Sequence, residues 1–370
     1  MYYSYDSQLC LAAMSSSRRL MLRAIVACLA IGAGLVVAEL LVRVGRPQDL
    51  EVMSAWYESH PVYRFRHFPN MDKVKRAGPE RYRIRTNRQG VRADEDEAYA
   101  SPLETRIVVH GDSYVFGVGV DNRDTFIYRT QESLRRKLGR VDGLNLGVGN
   151  TGPSEQYLLF LEEGRKYLPR IVVVGVAWND LDDVTRPLNA FRLQHNRLVY
   201  VPYRPSVLRR LSERPLYRWV QDRSHLLTLL RGTLANAMEG DRFVPSAEAE
   251  ASSLPQALAV YRAFVTAIRR ENAVPLILLL PSMEQVASGR MELAGEPSVS
   301  ARLLMKRLRE FCAEEAVPCL DTLEAFVAAD VPTGRLFIPR DEHYTAAGHG
   351  IVTGLLEPRL ERMLESLRVR

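Results

Sequence analysis

The chain has 370 residues, 46% of them hydrophobic and 25% charged, which is a globular composition with ample length for a sizeable core. Its net charge of +6 is an excess of arginine spread along the sequence, without the dense Lys/Arg blocks or zinc-type spacing of a nucleic-acid binder, so nucleic acid is not expected as a partner. That mild basicity suits anionic lipid or an anionic polymer instead. The four cysteines, Cys10, Cys28, Cys312 and Cys319, form no CxxC and no pairing with His at ligand spacing, and no metal or organic cofactor is implied.

The first element is apolar. Residues 24 to 38, AIVACLAIGAGLVVA, carry no charge, and the run reaches bilayer length through Val44 if Arg23 snorkels and Glu39 sits near the headgroups. Arg18, Arg19 and Arg23 precede it, which places residues 1–19 in the cytoplasm, a transmembrane helix at 20–44, and everything after Gly45 outside. VVA before Glu39 has the look of a signal-peptidase site, IVAC of a lipobox, and SRRLMLR of a twin-arginine signal. Each of these also exports the rest of the chain. An uncleaved single-pass anchor in the inner membrane, with a periplasmic domain, is the reading adopted. Cys28 is then a small membrane-facing residue.

Residues 46–104 alternate apolar and polar positions around Asn and Gly turns and read as a β-rich juxtamembrane lead-in. Thereafter five short apolar runs predict strands: RIVVHGD (106–112), GLNLGV (143–148), RIVVVGVAW (170–178), VPLILLLP (274–281) and VPCLD (317–321). Helical patterns fall at 124–138, 153–167, 254–272, 297–316 and 345–366. Unbroken Val/Ile/Leu runs suit parallel strands buried on both faces. The alternation implies an α/β fold, a three-layer α/β/α sandwich on a mostly parallel five-stranded sheet spanning 105–370. Residues 185–253, ending in the linker-like VPSAEAEASS, interrupt it as an insertion, a candidate lid. The Tyr and Arg of 191–220 either line a substrate groove or snorkel on an exposed insertion. Cys312 and Cys319 either pair as a disulfide or stay as two buried thiols.

In such a sheet, ligands collect at the carboxyl ends of the strands. The stretches ending there are HGDSYVFGVGV (110–120), NLGVGNTGPSEQ (145–156) and AWNDLDD (177–183), with PRDEHYTAAGHG (339–350) before the last helix. Ser113 is either an ordinary turn residue or a nucleophile, and the decision rests on whether the other stretches supply a base and oxyanion donors. Taken together and in this order, the four stretches resemble the SGNH hydrolase superfamily, the GDSL esterases. Gly111-Asp112-Ser113 matches its first block, Asn179-Asp180 its third, and Asp341-Glu342-His343, followed by Thr345 and Gly348, its last. The anchor, ELLVRVGRP and TNRQGVR also resemble envelope members of that superfamily.

The resemblance implies a flavodoxin-like SGNH fold in which Ser113 is the nucleophile, His343 the base and Asp341 the group that orients the imidazole. It assigns the oxyanion donors to the Ser113 N–H, an N–H of the 149–152 turn (Gly149 or Asn150) and the Asn179 amide. Asn150 stands where Gly is frequent, and Asn tolerates left-handed backbone. Among other residues, His349 and His110 read as packing residues, Asp112 as structural, and Asp180, Asp182 and Asp183 as a helix N-terminal acidic cluster in preference to a cation site. The implied activity is a serine esterase on O-acyl esters, O-acetyl included, of carbohydrate or envelope polymers. One residue between acid and His also resembles polysaccharide O-acetyltransferases, so transfer stands as the alternative, with a catalytically silent envelope-assembly module behind it. The expected partners are an ester substrate and the membrane, and no protein partner is indicated.

Overall fold

The computed structural model describes residues 6–48, 50, 56–77, 80–99, 105–185, 190–238, 247–290, 299–339 and 341–368. The start of the expected tail (1–5) and of VPSAEAEASS (244–246) lies outside them. The chain divides into two compact units, Met1–Val52 with Leu211–Arg242, and Met53–Arg210 with Phe243–Arg370.

The N-terminal segment is one helix, α1 (Asp6–Gly45), in which the 28 residues Arg18–Gly45 are long and apolar enough to cross a bilayer. The lead-in forms two antiparallel hairpins, β1 (Tyr57–His60) with β2 (Arg64–His67), and β3 (Asp72–Ala77) with β4 (Glu80–Arg85). The expected strands and helices then alternate: β5 (Thr105–Gly111), α2 (Ser113–Phe116), α3 (Phe126–Leu138), β6 (Val141–Gly147), α4 (Pro153–Glu162), β7 (Ile171–Ala177) and α5 (Asp180–Thr185). The sequence pattern of 153–167 is split: α4 stops at Glu162 and a 3-10 turn, Gly164–Tyr167, completes it.

The insertion is divided between the units. Its hairpin, β8 (Phe191–Gln194) and β9 (Arg197–Tyr200), belongs to the larger one, α6 (Val207–Ser212) straddles the division, and α7 (Pro215–Gln221) and α8 (His225–Met238) belong with α1. The larger unit closes with α9 (Ala247–Arg270), β10 (Val274–Leu280), α10 (Met283–Gly289), α11 (Val299–Glu314), β11 (Cys319–Asp321), α12 (Leu323–Ala328), α13 (Thr333–Leu336) and α14 (Ala346–Arg368).

The central sheet has the order β11-β10-β7-β5-β6, and every neighbouring pair is parallel. The side-chain alternation of a strand explains the three layers. Val172, Val174 and Val176 of β7, with Ile277 and Leu279 of β10, bury against α9 and α11. Ile171 and Val173, with Leu276, Leu278 and Leu280, bury with Phe126 and Leu134 of α3 and Val352, Leu356 and Leu360 of α14. Both faces are covered, so the strands read as continuous apolar runs. Cys312 and Cys319 face one another across α11 and β11 as unbridged thiols.

The order reverses between β5 and β7, because β6 pairs on one side of β5 and the later strands on the other. This is the switch point at which doubly wound sheets open a crevice for ligands. Ser113 follows β5, and Asn179 follows β7.

Candidate active site

At the end of β5 the chain turns directly into α2. Asp112 caps that helix, its carboxylate accepting the Tyr114 N–H at 2.9 Å, and Ser113 is the first helical residue. So short a helix stays in place because it lies almost on the sheet. A Cβ on Gly147 would fall 2.3 Å from the Phe116 backbone nitrogen, so only glycine at the end of β6 lets α2 approach.

His343 Nε2 lies 2.8 Å from Ser113 Oγ, and His343 Nδ1 is bonded to Asp341 Oδ1. The structure therefore brings together the three residues expected to act on the ester. That bond to His343 holds the Asp341 carboxyl below the usual carboxylate range. Because its folded pKa is depressed, the pair stabilises the fold above the ordinary carboxylate range and loses that contribution as pH falls through it. The single residue between acid and base is accommodated by backbone strain. Glu342 has φ 65°, a left-handed conformation that costs a non-glycine residue. Its carbonyl is held by the Tyr114 hydroxyl at 3.0 Å, which in turn accepts the Trp178 indole N–H at 3.0 Å. Tyr114 is thus a positioning residue for the acid–base loop, carried on the same helix as Ser113.

The residues expected to supply oxyanion donors lie on the turn after β6 and just past β7. Gly149 packs against the nucleophile: the position of its missing Cβ is 3.4 Å from Ser113 Cβ. Asn150 adopts φ 60°, the left-handed conformation expected of it. Asn179 extends its amide nitrogen to Asp183 Oδ2 at 3.4 Å, a long bond, and so stands beside a buried acidic cluster of Asp112, Asp180 and Asp183. The Asp182 side chain lies outside the described residues. Asp180 accepts from the Tyr261 hydroxyl (3.0 Å) and the Ala177 N–H (3.2 Å), so it is a structural hub between β7 and α9.

Burial, then the charges of Asp112 and Asp183, raise the Asp180 pKa well above the ordinary carboxylate value. A carboxyl raised in this way contributes stability that is complete below its unfolded value and is lost as pH rises through its folded one. Asp180→Asn keeps an acceptor for Tyr261 and Ala177 without a proton to lose. Melting temperatures measured from pH 4 to 8 are expected to show the variant gaining a few degrees on wild type as pH rises. Parallel pH profiles would show that Asp180 carries no such linkage.

The histidines set aside by sequence lie in the core. His110 is fully buried with its ring edge-on to Phe160 and Phe264, and burial pushes it down to about 3. His349 accepts the Phe126 N–H at Nδ1, at 3.3 Å, and burial holds it well below its ordinary value. Both stay neutral and pack.

Three residues of the lead-in, none singled out by sequence, brace the site. Tyr57 Oη lies 2.2 Å from the missing Cβ of Gly149 and is buried without a hydrogen-bond partner, and burial with the nearby Asp112 pushes the phenol above its usual range. Arg64 pairs with Glu155 at 2.8 Å, and Glu155 in turn accepts the Gly152 N–H at 3.2 Å, fixing the far end of the oxyanion turn. Arg92 is buried and donates to the carbonyls of Phe116, Gly117 and Val120 and to Asn122 Oδ1. Burial pushes Arg92 down to about 9 although the charges of Asp121 and Asp94 oppose it, so it is still charged at neutral pH. The sequence signal for it was the TNRQGVR stretch, whose last residue it is.

A hydroxyl, an imidazole and a carboxylate in one hydrogen-bonded line, beside a glycine turn at a sheet switch point, can attack an acyl carbonyl. Residues 109–351 match the family model of GDSL-like lipases and acylhydrolases. The chain belongs to that family. As a GDSL-type protein of the SGNH superfamily it is an ester hydrolase. Among solved structures, it resembles a lipase/acylhydrolase from Enterococcus faecalis at 14% identity, over 70% of this chain and 96% of that one, with a TM-score of 0.42. It also resembles an acetylxylan esterase from Geobacillus stearothermophilus at 12% identity, over 69% of this chain and 94% of that one, with a TM-score of 0.41. No curated protein matches the sequence.

Proposed function

We propose that this GDSL hydrolase is an inner-membrane-anchored serine esterase, with its hydrolase domain on the periplasmic side, that removes O-acyl groups, O-acetyl included, from carbohydrate or envelope polymers. The observation that carries the chemistry is the 2.8 Å contact between Ser113 Oγ and His343 Nε2, backed by Asp341. The anchor reading is supported by the exposed apolar stretch of α1 and the arginines before it.

In the proposed reaction, Ser113 Oγ attacks the ester carbonyl as its proton passes to His343 Nε2. Asp341 holds Nδ1 and stabilises the imidazolium. Negative charge on the carbonyl oxygen is met by the Ser113 N–H, an N–H at Gly149 or Asn150, and the Asn179 amide. The tetrahedral intermediate collapses as the sugar oxygen takes the proton from His343 and leaves, so Ser113 is acylated. Water then attacks with His343 as base, releasing the acid and the free serine.

The Tyr57 hydroxyl stands beside the same glycine and serves as a further donor to the acyl group. Tyr57→Phe is expected to raise the melting temperature slightly, because a buried unpaired hydroxyl is removed, while lowering kcat about tenfold or more. Equal kcat in the two proteins would remove Tyr57 from the reaction.

The acyl-serine step is tested by quenching the full chain, in detergent micelles, during turnover of p-nitrophenyl acetate and mapping the adduct by mass spectrometry. An acetyl group on Ser113 is expected. Turnover by the wild type with no adduct at Ser113 and no burst of p-nitrophenol would overturn the covalent mechanism. Transfer to an acceptor sugar is kept as a second reading because Asp341 and His343 are separated by Glu342 alone. Adding acetylated and free xylo-oligosaccharides together separates the two, since a transferase moves the label to the acceptor instead of to water.

A further inference from the structure

Glu39 is an acidic residue inside the apolar stretch of α1. A carboxylate there is costly unless its oxygens are satisfied. They are satisfied by a segment almost two hundred residues further along the chain. Glu39 Oε2 accepts from Ser224 Oγ (2.8 Å) and the Leu226 N–H (2.9 Å), and Oε1 from the His225 N–H (2.9 Å). These are the first amides of α8, where a helix presents unpaired donors and the positive end of its dipole. Arg43 donates to the Arg223 carbonyl at 2.9 Å, and the Gln48 N–H to His225 Nδ1 at 2.9 Å.

The surface that α7 and α8 expose is one that water disfavours. Leu216, Trp219 and Val220 share a face of α7 and are exposed, as are Leu230 and Leu234 one turn apart on α8. Arg214, Arg218, Arg223 and Arg231 stand among them against Glu213 and Asp222. The Arg223 guanidinium lies 5.0 Å over the Trp219 ring, leaving an aromatic body beside a cationic head.

We infer that α7 and α8 form a membrane-docking element, seated in the headgroup and upper acyl layer of an anionic bilayer and fastened to the anchor by Glu39. This rests on the reading of α1 as a membrane span. Continuity with α1 and the arginine excess single out anionic phospholipid as the occupant. The polymer-facing ester site would then be carried on a two-point attachment, a span and a surface element, rather than on a single tether.

The test uses the full chain reconstituted in phosphatidylcholine–phosphatidylglycerol vesicles with brominated acyl chains, reading quenching of tryptophan emission. Trp56 is buried and Trp178 is half-buried with its indole N–H on Tyr114, so the quenchable share is expected to fall by about half or more in Trp219→Phe, a change at an exposed position. Glu39→Ala is expected to reduce Trp219 quenching about twofold with flotation unchanged. Vesicle flotation with quenching identical in wild type and Trp219→Phe would mean that the face is covered by protein or left in water, and overturns the inference while the anchor stands. Loss of flotation together with release by carbonate would overturn the anchor reading itself. Release by carbonate with Trp219 quenching retained on anionic vesicles would support the docking element and overturn only the span.

Discussion

Ser113→Ala is expected to lower p-nitrophenyl acetate hydrolysis by the full chain about ten-thousand-fold. The loss follows from the geometry, because the Ser113 hydroxyl is the one bonded to His343 Nε2 among the described residues. His343 would remain held by Asp341, and the donors of the oxyanion turn would stay where the β6 turn places them. The residual rate would then measure binding and oxyanion stabilisation alone. Initial rates and a melting curve on the same preparation check it. Retention of more than about a tenth of wild-type activity would remove Ser113 as nucleophile.

Arg92→Met is expected to be the most destabilising change among those named here, at about 3–5 kcal/mol. Methionine fills much of the same volume but leaves the carbonyls of Gly117 and Val120 without their donor, while the Phe116 carbonyl keeps the Asn145 amide at 3.4 Å and Asn122 Oδ1 the Arg85 N–H at 3.2 Å. Removal of the buried charge returns part of its own desolvation, which is why the net is less than the sum of four lost bonds. For a unit of this size the melting temperature would drop on the order of 10 °C. Activity would fall with it, since Phe116 and Gly117 end the helix that Ser113 begins. Arg92→Lys is expected to lie between the two, because one ammonium cannot serve a fork of four acceptors. Thermal melts of the three proteins in the same micelles decide it, and equal melting points would show that the carbonyls find other donors.

The sheet and the order of its strands were legible because each strand is buried on both faces and therefore written as an unbroken Val/Ile/Leu run. The places of Ser113 and Asn179 after strands, and of His343 before a helix, were legible because the alternation of elements fixes them. Tyr57, Arg64 and Arg92 were not. In the lead-in, polar and apolar residues alternate as in any small β-structure, and nothing local distinguishes an arginine in solvent from one that caps four acceptors far along the chain. Glu39 shows the same limit. Its place at the edge of an apolar run reads as a headgroup residue, whereas its partners are amides that the sequence brings past much later. The insertion read as one piece for a similar reason: composition does not reveal that 211–242 group with the first helix.

The match to the family covers 109–351 and contains Ser113, Asn179, Asp341 and His343, yet Tyr57, Arg64 and Arg92 lie upstream of it. In this chain the matched region is braced by residues that lie upstream of it. Its nucleophile helix and its oxyanion turn are finished by a segment that the family pattern does not include. A catalytic core exchanged between relatives would have to travel with its own lead-in, and drift in either segment is constrained by the other. Trimming to the family boundary would also cut into β5 and remove the part of α14 that buries Val352, Leu356 and Leu360, so the family match is not a folding boundary.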